Sequence, residues 1–229
     1  MIKKLSNIGD CGIVCDFGDE VNRDINTCVI KLFNYIQKEV SAGNLNGILN
    51  YTPSYNKLII NFDLEKINSS KILSFIKSVD FSKLNFNQKN KNFLIPICYD
   101  FEMDLENISR ILKMDREEII NIHLNTDFFI YMVGFIPGHP FMGDLDKKIF
   151  LNRLKTPRVK IPPGSVGIVE KFCNIYPYES PGGWNIIGRT PIKLFNKKDE
   201  SNPCLLSPGD SIKFKSISKK EFEELNNEQ

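Results

Sequence analysis

Arg158 and Lys160 stand two residues apart in TPRVKIPPGSV, between prolines that hold the backbone extended, so on a strand both cations project to one face. Paired cations suit a carboxylate or phosphate, the guanidinium binding it in bidentate geometry. A solvated edge strand guarded by its charges accounts for them equally well. In SPGGW the backbone N–H groups of Gly182 and Gly183 are adjacent and carry no side chains, an arrangement that can form an anion-binding concavity. The plainer reading is a tight loop with Trp184 packed as an anchor. Tyr176 to Glu179 (YPYE) adds phenols and a carboxylate upstream, and Gly188, Arg189 and Thr190 place a cation and a hydroxyl just before Pro191. The two histidines are the acid–base candidates near neutral pH. His139 is locked between Gly138 and Pro140, whereas His123 falls at the C-terminal end of an expected helix, where the macrodipole favours its protonated form. A hydrogen-bonded structural imidazole is the alternative for each.

Several chemistries are excluded. No phosphate loop, dinucleotide fingerprint, nucleophile elbow or H-E-x-x-H is present, and Asp16, Asp19 and Glu20 do not follow the spacing of a calcium loop. Thirty basic against 28 acidic residues leave a net charge of +2, which argues against nucleic acid or an anionic membrane as partner. Small molecules and proteins remain. Six cysteines without a C-x-x-C pair read as free thiols of a reducing cytoplasm. The first 20 residues lack the apolar core of a signal peptide and no window approaches a membrane span, so a cytoplasmic location is expected.

The elements that must position these residues change character along the chain. Up to residue 85 the pattern reads β-α-β-β-α, with an optional extra strand at the start: Gly12 to Phe17, an amphipathic helix from Asp24 to Val40, strands at Gly47 to Thr52 and Lys57 to Phe62, and a helix from Ser69 to Val79. The polar stretch 80–92 reads as a linker, giving domains 1–85 and 86–229. Thereafter come a strand at Asn92 to Cys98, with Pro96 marking an edge or bulge, and helices at Asp104 to Lys113 and Asp115 to Leu124, the latter with Asp115 and Glu118 spaced as a capping box. An apolar strand follows from Phe128 to Phe135. Eight of the twelve prolines then fall between 134 and 196, which predicts short strands joined by rigid loops; further strands are expected at Pro203 to Leu206 and Ser211 to Lys215. Many short strands and frequent turns describe a β-barrel or sandwich.

Taken in order, GFIPGHPFMG, TPRVKIPPGSVGIV, IYPYESPGGWNIIGRTPIKLF and LLSPGDSIKF resemble the family of the 5-oxoprolinase B subunit, also called allophanate hydrolase subunit 1 or the Kip-type kinase inhibitors. NIGDCGIVCDFGDEV and the stretch holding His123 extend the likeness over nearly the whole chain. The resemblance implies an α+β protein, with an N-terminal ferredoxin-like α/β domain and a C-terminal cyclophilin-like β-barrel. It also implies two partners, the C subunit of 5-oxoprolinase with a homologous barrel and the separate A subunit, and ATP with Mg2+ as co-substrate for opening 5-oxo-L-proline to L-glutamate; no protein-bound metal is expected. On that reading His123 and Arg158 are catalytic, His123 as proton carrier, while Lys160, Ser165, Tyr176, Gly182, Gly183, Arg189 and Thr190 bind substrate or phosphate. The family likeness equally admits a regulatory module that inhibits a sensor histidine kinase, or a urea or allophanate pathway component. The chain departs from the pattern at His139, where an aromatic residue is usual, and at Asn152-Arg153, where a Pro-Arg pair is usual.

Overall fold

The computed structural model describes residues 2–84, 90–101 and 103–227; the expected boundary between 85 and 86 lies outside the described residues. Contacts divide the chain into two compact units, Met1–Lys89 and Asn90–Gln229.

In the first unit, strands β1 (Lys4–Ile8) and β2 (Gly12–Asp16) precede helix α1 (Arg23–Ser41), strands β3 (Ile48–Pro53) and β4 (Lys57–Phe62), and helix α2 (Ser69–Lys77). The sheet is antiparallel in the order β1-β2-β4-β3, so β4 lies between the two strands that α1 connects. The optional first strand is real. Asn22 caps α1 by accepting from the Ile25 N–H at 2.9 Å. Helical spacing brings Val29, Leu32 and Ile36 onto Ile13, Leu58 and Ile60 in one buried cluster.

The second unit begins with β5 (Asn92–Ile97), followed by helices α3 (Leu105–Leu112) and α4 (Arg116–Asn125). Asp115 precedes α4 but makes no capping hydrogen bond, so the capping box is not formed. Strands β6 (Phe128–Val133), β7 (Pro140–Gly143), β8 (Arg158–Ile161), β9 (Ser165–Val169), β10 (Phe172–Ile175), β11 (Ser180–Gly182), β12 (Asn185–Arg189) and β13 (Ser211–Ser216) lead to helix α5 (Lys219–Asn227). Strand β6 is shorter than its apolar run because the chain turns at once, with Phe135 in the left-handed region at φ 71°. Between Pro203 and Leu206 only Cys204 pairs, in a single bridge to Phe195.

Seven strands form one sheet in the order β12-β9-β10-β7-β6-β13-β5. Its two outer strands meet at their ends: the Cys98 N–H donates to Arg189 O at 2.8 Å and the Arg189 N–H to Cys98 O at 2.9 Å. The sheet thus nearly closes into a barrel. Pro96 sits on β5, an outer strand, where a missing N–H costs no ladder bond. The barrel encloses Ile97, Phe128, Ile130, Met142, Val166, Ile168, Cys173, Ile175, Ile187 and Phe214, all nearly inaccessible.

Candidate functional site

Alternation along β9 and β10 decides what faces outward. Val166, Ile168, Cys173 and Ile175 enter the barrel core, so Gly167 and Asn174, paired across the ladder, face the other way. Against this outer face packs a two-stranded ribbon of β8 and β11, with Ser180 opposite Ile161 and Gly182 opposite Arg158. Ile161, Tyr176 and Ile186 form the small buried cluster beneath it.

Tyr176 is the hub of that layer. It is buried, and burial raises its pKa; hydrogen bonds from the Asn174 side chain and the Trp184 N–H, and the nearby cations of Arg153 and Arg158, pull the other way. The phenol is therefore protonated at neutral pH. Its oxygen explains Gly182, where a Cβ would collide with the Tyr176 hydroxyl and approach Ile161 Cδ1 to 2.6 Å. Since Gly182 lies in an extended strand and neither it nor Gly183 has a positive φ, the glycines serve close packing here instead of the expected anion-binding concavity.

Arg158 turns inward and is ion-paired with Asp104. The second Asp104 oxygen accepts the Ile186 N–H at 2.6 Å. Asp104 precedes α3 but makes no capping bond, because its carboxylate is taken by this distant pair. Lys160 does not join Arg158: its Nζ lies 3.1 Å from Glu179 Oε1, with both side chains largely exposed. Five buried side-chain atoms around the hub have no hydrogen-bond partner: Arg158 Nη1, Asn174 Oδ1, Ser180 Oγ and both ring nitrogens of His139. Among the described residues these are the second unit's full set of such atoms. Native interiors rarely orphan polar groups, so their gathering at one patch marks it as a place for a polar ligand.

Residues 3–206 match the family described as carboxyltransferase domain, subdomain C and D. The chain is also 34% identical over 233 residues to the 5-oxoprolinase B subunit of Bacillus subtilis (strain 168), covering 96% of this chain and 95% of that protein. The chain belongs to this family. Urea amidolyase of Lachancea kluyveri is 24% identical over 94% of this chain, which spans only 13% of that protein. The crystal structure of TTHA0988 superimposes with a TM-score of 0.80 at 26% identity over 90% of this chain, which spans 40% of that one.

In this member of the B-subunit family the other expected residues lie apart from the hub. His123 is fully buried inside the barrel, its Nδ1 2.7 Å from the Tyr99 hydroxyl, its Nε2 3.7 Å from Cys173 Sγ, and its ring 4.6 Å from that of Phe214. Burial lowers its pKa to about 3, so desolvation overrides the helix terminus and the ring is neutral, not protonated as expected. Enclosed there, it cannot carry protons to a ligand at the Tyr176 patch. Arg189 is held over Phe101 and Phe222 and donates from Nε to Pro163 O at 2.7 Å. Together with Thr190 it lines a separate groove of about 270 Å3. Thr190 is buried, and its carbonyl packs so tightly on Gly164, at φ 80°, that no side chain fits there. Ser165 is buried at the start of β9. Of the expected set, Arg158, Tyr176, Gly182 and Gly183 come together.

Sequence reasoning missed Asp104 and Asn174. Asp104 carried the signal of an acidic residue at a helix start, which points to capping; Asn174 sits in an ordinary strand pattern.

Proposed function

We propose that this chain is one component of an ATP-dependent 5-oxoprolinase that opens 5-oxo-L-proline to L-glutamate, acting with the homologous-barrel C subunit and the A subunit of that enzyme. The observation that carries this reading is the end-to-end likeness to a 5-oxoprolinase B subunit. The reading includes a ferredoxin-like first unit, supported by the position of β4 between β2 and β3, and a cyclophilin-like barrel, supported by the near-closed seven-stranded sheet. Lactam and substrate carboxylate bind at the Tyr176 patch, where Arg158 Nη1 meets the carboxylate and the Tyr176 hydroxyl orients the ring.

A triphosphate with Mg2+ does not fit the residues present. Arg158 and Lys160 are already paired with carboxylates, Gly182 is tied into a ladder, and no group of three His, Cys, Asp or Glu side chains able to hold a metal occurs among the described residues. The nucleotide is therefore assigned to the partner subunits, and this chain contributes substrate binding and orientation. Glutamate release from 5-oxoproline with ATP tests the assignment: none from this chain alone and release on adding the two partners is expected. Full activity from the chain alone would overturn the shared site, and no release with partners would overturn the substrate. The likeness to a urea amidolyase favours urea as the second substrate for the same assay.

A further inference from the structure

His139 is 1% exposed, and neither Nδ1 nor Nε2 has a protein partner. Its ring is nonetheless held fast. It stacks on Phe141 with centroids 4.7 Å apart and planes 9° apart, meets Tyr176 edge-on at 5.0 Å, and is met edge-on by Phe135 at 5.7 Å. Phe141 rests in turn on Trp184. The backbone is pinned as well, since the His139 N–H donates to Ile136 O and the Gly134 N–H to His139 O. Burial lowers the pKa to about 4, so at neutral pH the ring is uncharged and presents one donor and one acceptor. An apolar ring would satisfy the stacking; the two nitrogens are surplus to packing.

A second observation is independent of the histidine. Asn174, paired across the ladder with Phe141, turns a lone Oδ1 into the same layer, while Ser180 Oγ and Arg158 Nη1 come from the ribbon. The set contains a cationic donor, a hydroxyl, a carbonyl acceptor and a donor–acceptor ring. A small amide that also carries a carboxylate matches it: the carboxylate on Arg158, the amide N–H on an acceptor, the amide C=O on a donor. The cover over the ring is the turn 134–138, where Phe135 is 67% exposed and strained at φ 71°.

We propose that His139, with Asn174, reads the amide edge of the ligand and sets specificity for carboxylate-bearing amides. This rests on the Tyr176 patch being the ligand site of the proposed function.

The test uses the full assembly with nucleotide, this chain carrying 15N-histidine, and His139→Phe to assign its imidazole signals. On adding 5-oxoproline the His139 nitrogens should shift, and His139→Phe, which keeps the ring stacking, should weaken 5-oxoproline binding by at least about tenfold without lowering the melting temperature. Binding of 5-oxoproline with unmoved nitrogens and an unchanged Kd in His139→Phe overturns the inference and leaves the proposed function standing. If 5-oxoproline neither binds nor reacts, the proposed function falls. The nitrogens are then read with urea and with succinamate: a shift with either upholds the subsite, and no shift with any of the three probes overturns it.

Discussion

Arg158 and Asp104 are 54 positions apart in sequence and joined in one ion pair, whose carboxylate also holds the Ile186 N–H at 2.6 Å. One acidic side chain thereby ties the start of α3, strand β12 and the ribbon strand β8 together. Removing one partner of a mostly buried pair strands the other charge, which costs about 3–5 kcal/mol. Asp104→Ala should lower stability by that order in denaturant unfolding, and Asp104→Leu with Arg158→Met should recover much of it. Additive losses in the double variant would show that the two side chains are not coupled.

Gly182→Ala puts a methyl group where the Tyr176 hydroxyl lies. Overpacking of this kind costs about 1–3 kcal/mol. Adding Tyr176→Phe opens space at that point, so the double variant should be less destabilised than the sum of the singles. A simple sum would mean that the ribbon yields elsewhere.

Acid should weaken the fold through its histidines. His123 and His139 have folded pKa values lowered to about 3 and about 4, against roughly 6.5 in the unfolded chain. Below that value the unfolded chain takes up protons that the folded chain refuses. Their stabilisation is thus complete above about pH 6.5 and is lost as pH falls, each ring contributing up to about 1.4 kcal/mol per pH unit. Unfolding midpoints between pH 7 and 4.5 should show this slope, roughly halved in His139→Phe. An unchanged slope in that variant would place the His139 ring in solvent.

Thiol reactivity should divide by burial. Cys15 and Cys173 are inaccessible, and desolvation raises their pKa, that of Cys15 to about 12; Cys11 is exposed. Iodoacetamide at pH 8 should label Cys11 in the native protein and spare Cys15 and Cys173 until denaturant is added. Early labelling of Cys173 would mean that the barrel opens.

Lys160→Ala should change stability by no more than about 0.5 kcal/mol, because its pair with Glu179 is solvated. A larger loss would show that the ribbon depends on that pair.

Much of this was legible beforehand. Strand β4 was placed at Lys57 to Phe62 from residue types and spacing, and the apolar stripe of α1 named its buried face, because both signals are local. The ordered Gly- and Pro-rich blocks carried the family. What the chain did not disclose is where each polar group points. Arg158 and Lys160 are near neighbours in sequence, yet one is buried against Asp104 and the other stands in water, a difference set by the bulged pairing of β8 with β11 and by a residue 54 positions away. His123 looked like a protonated helix terminus until closure of the barrel removed its water. Local order follows from short-range sterics and periodicity, which a sequence displays; ion pairing, desolvation and the gathering of unpaired atoms around Tyr176 depend on long-range register, which only the tertiary structure decides.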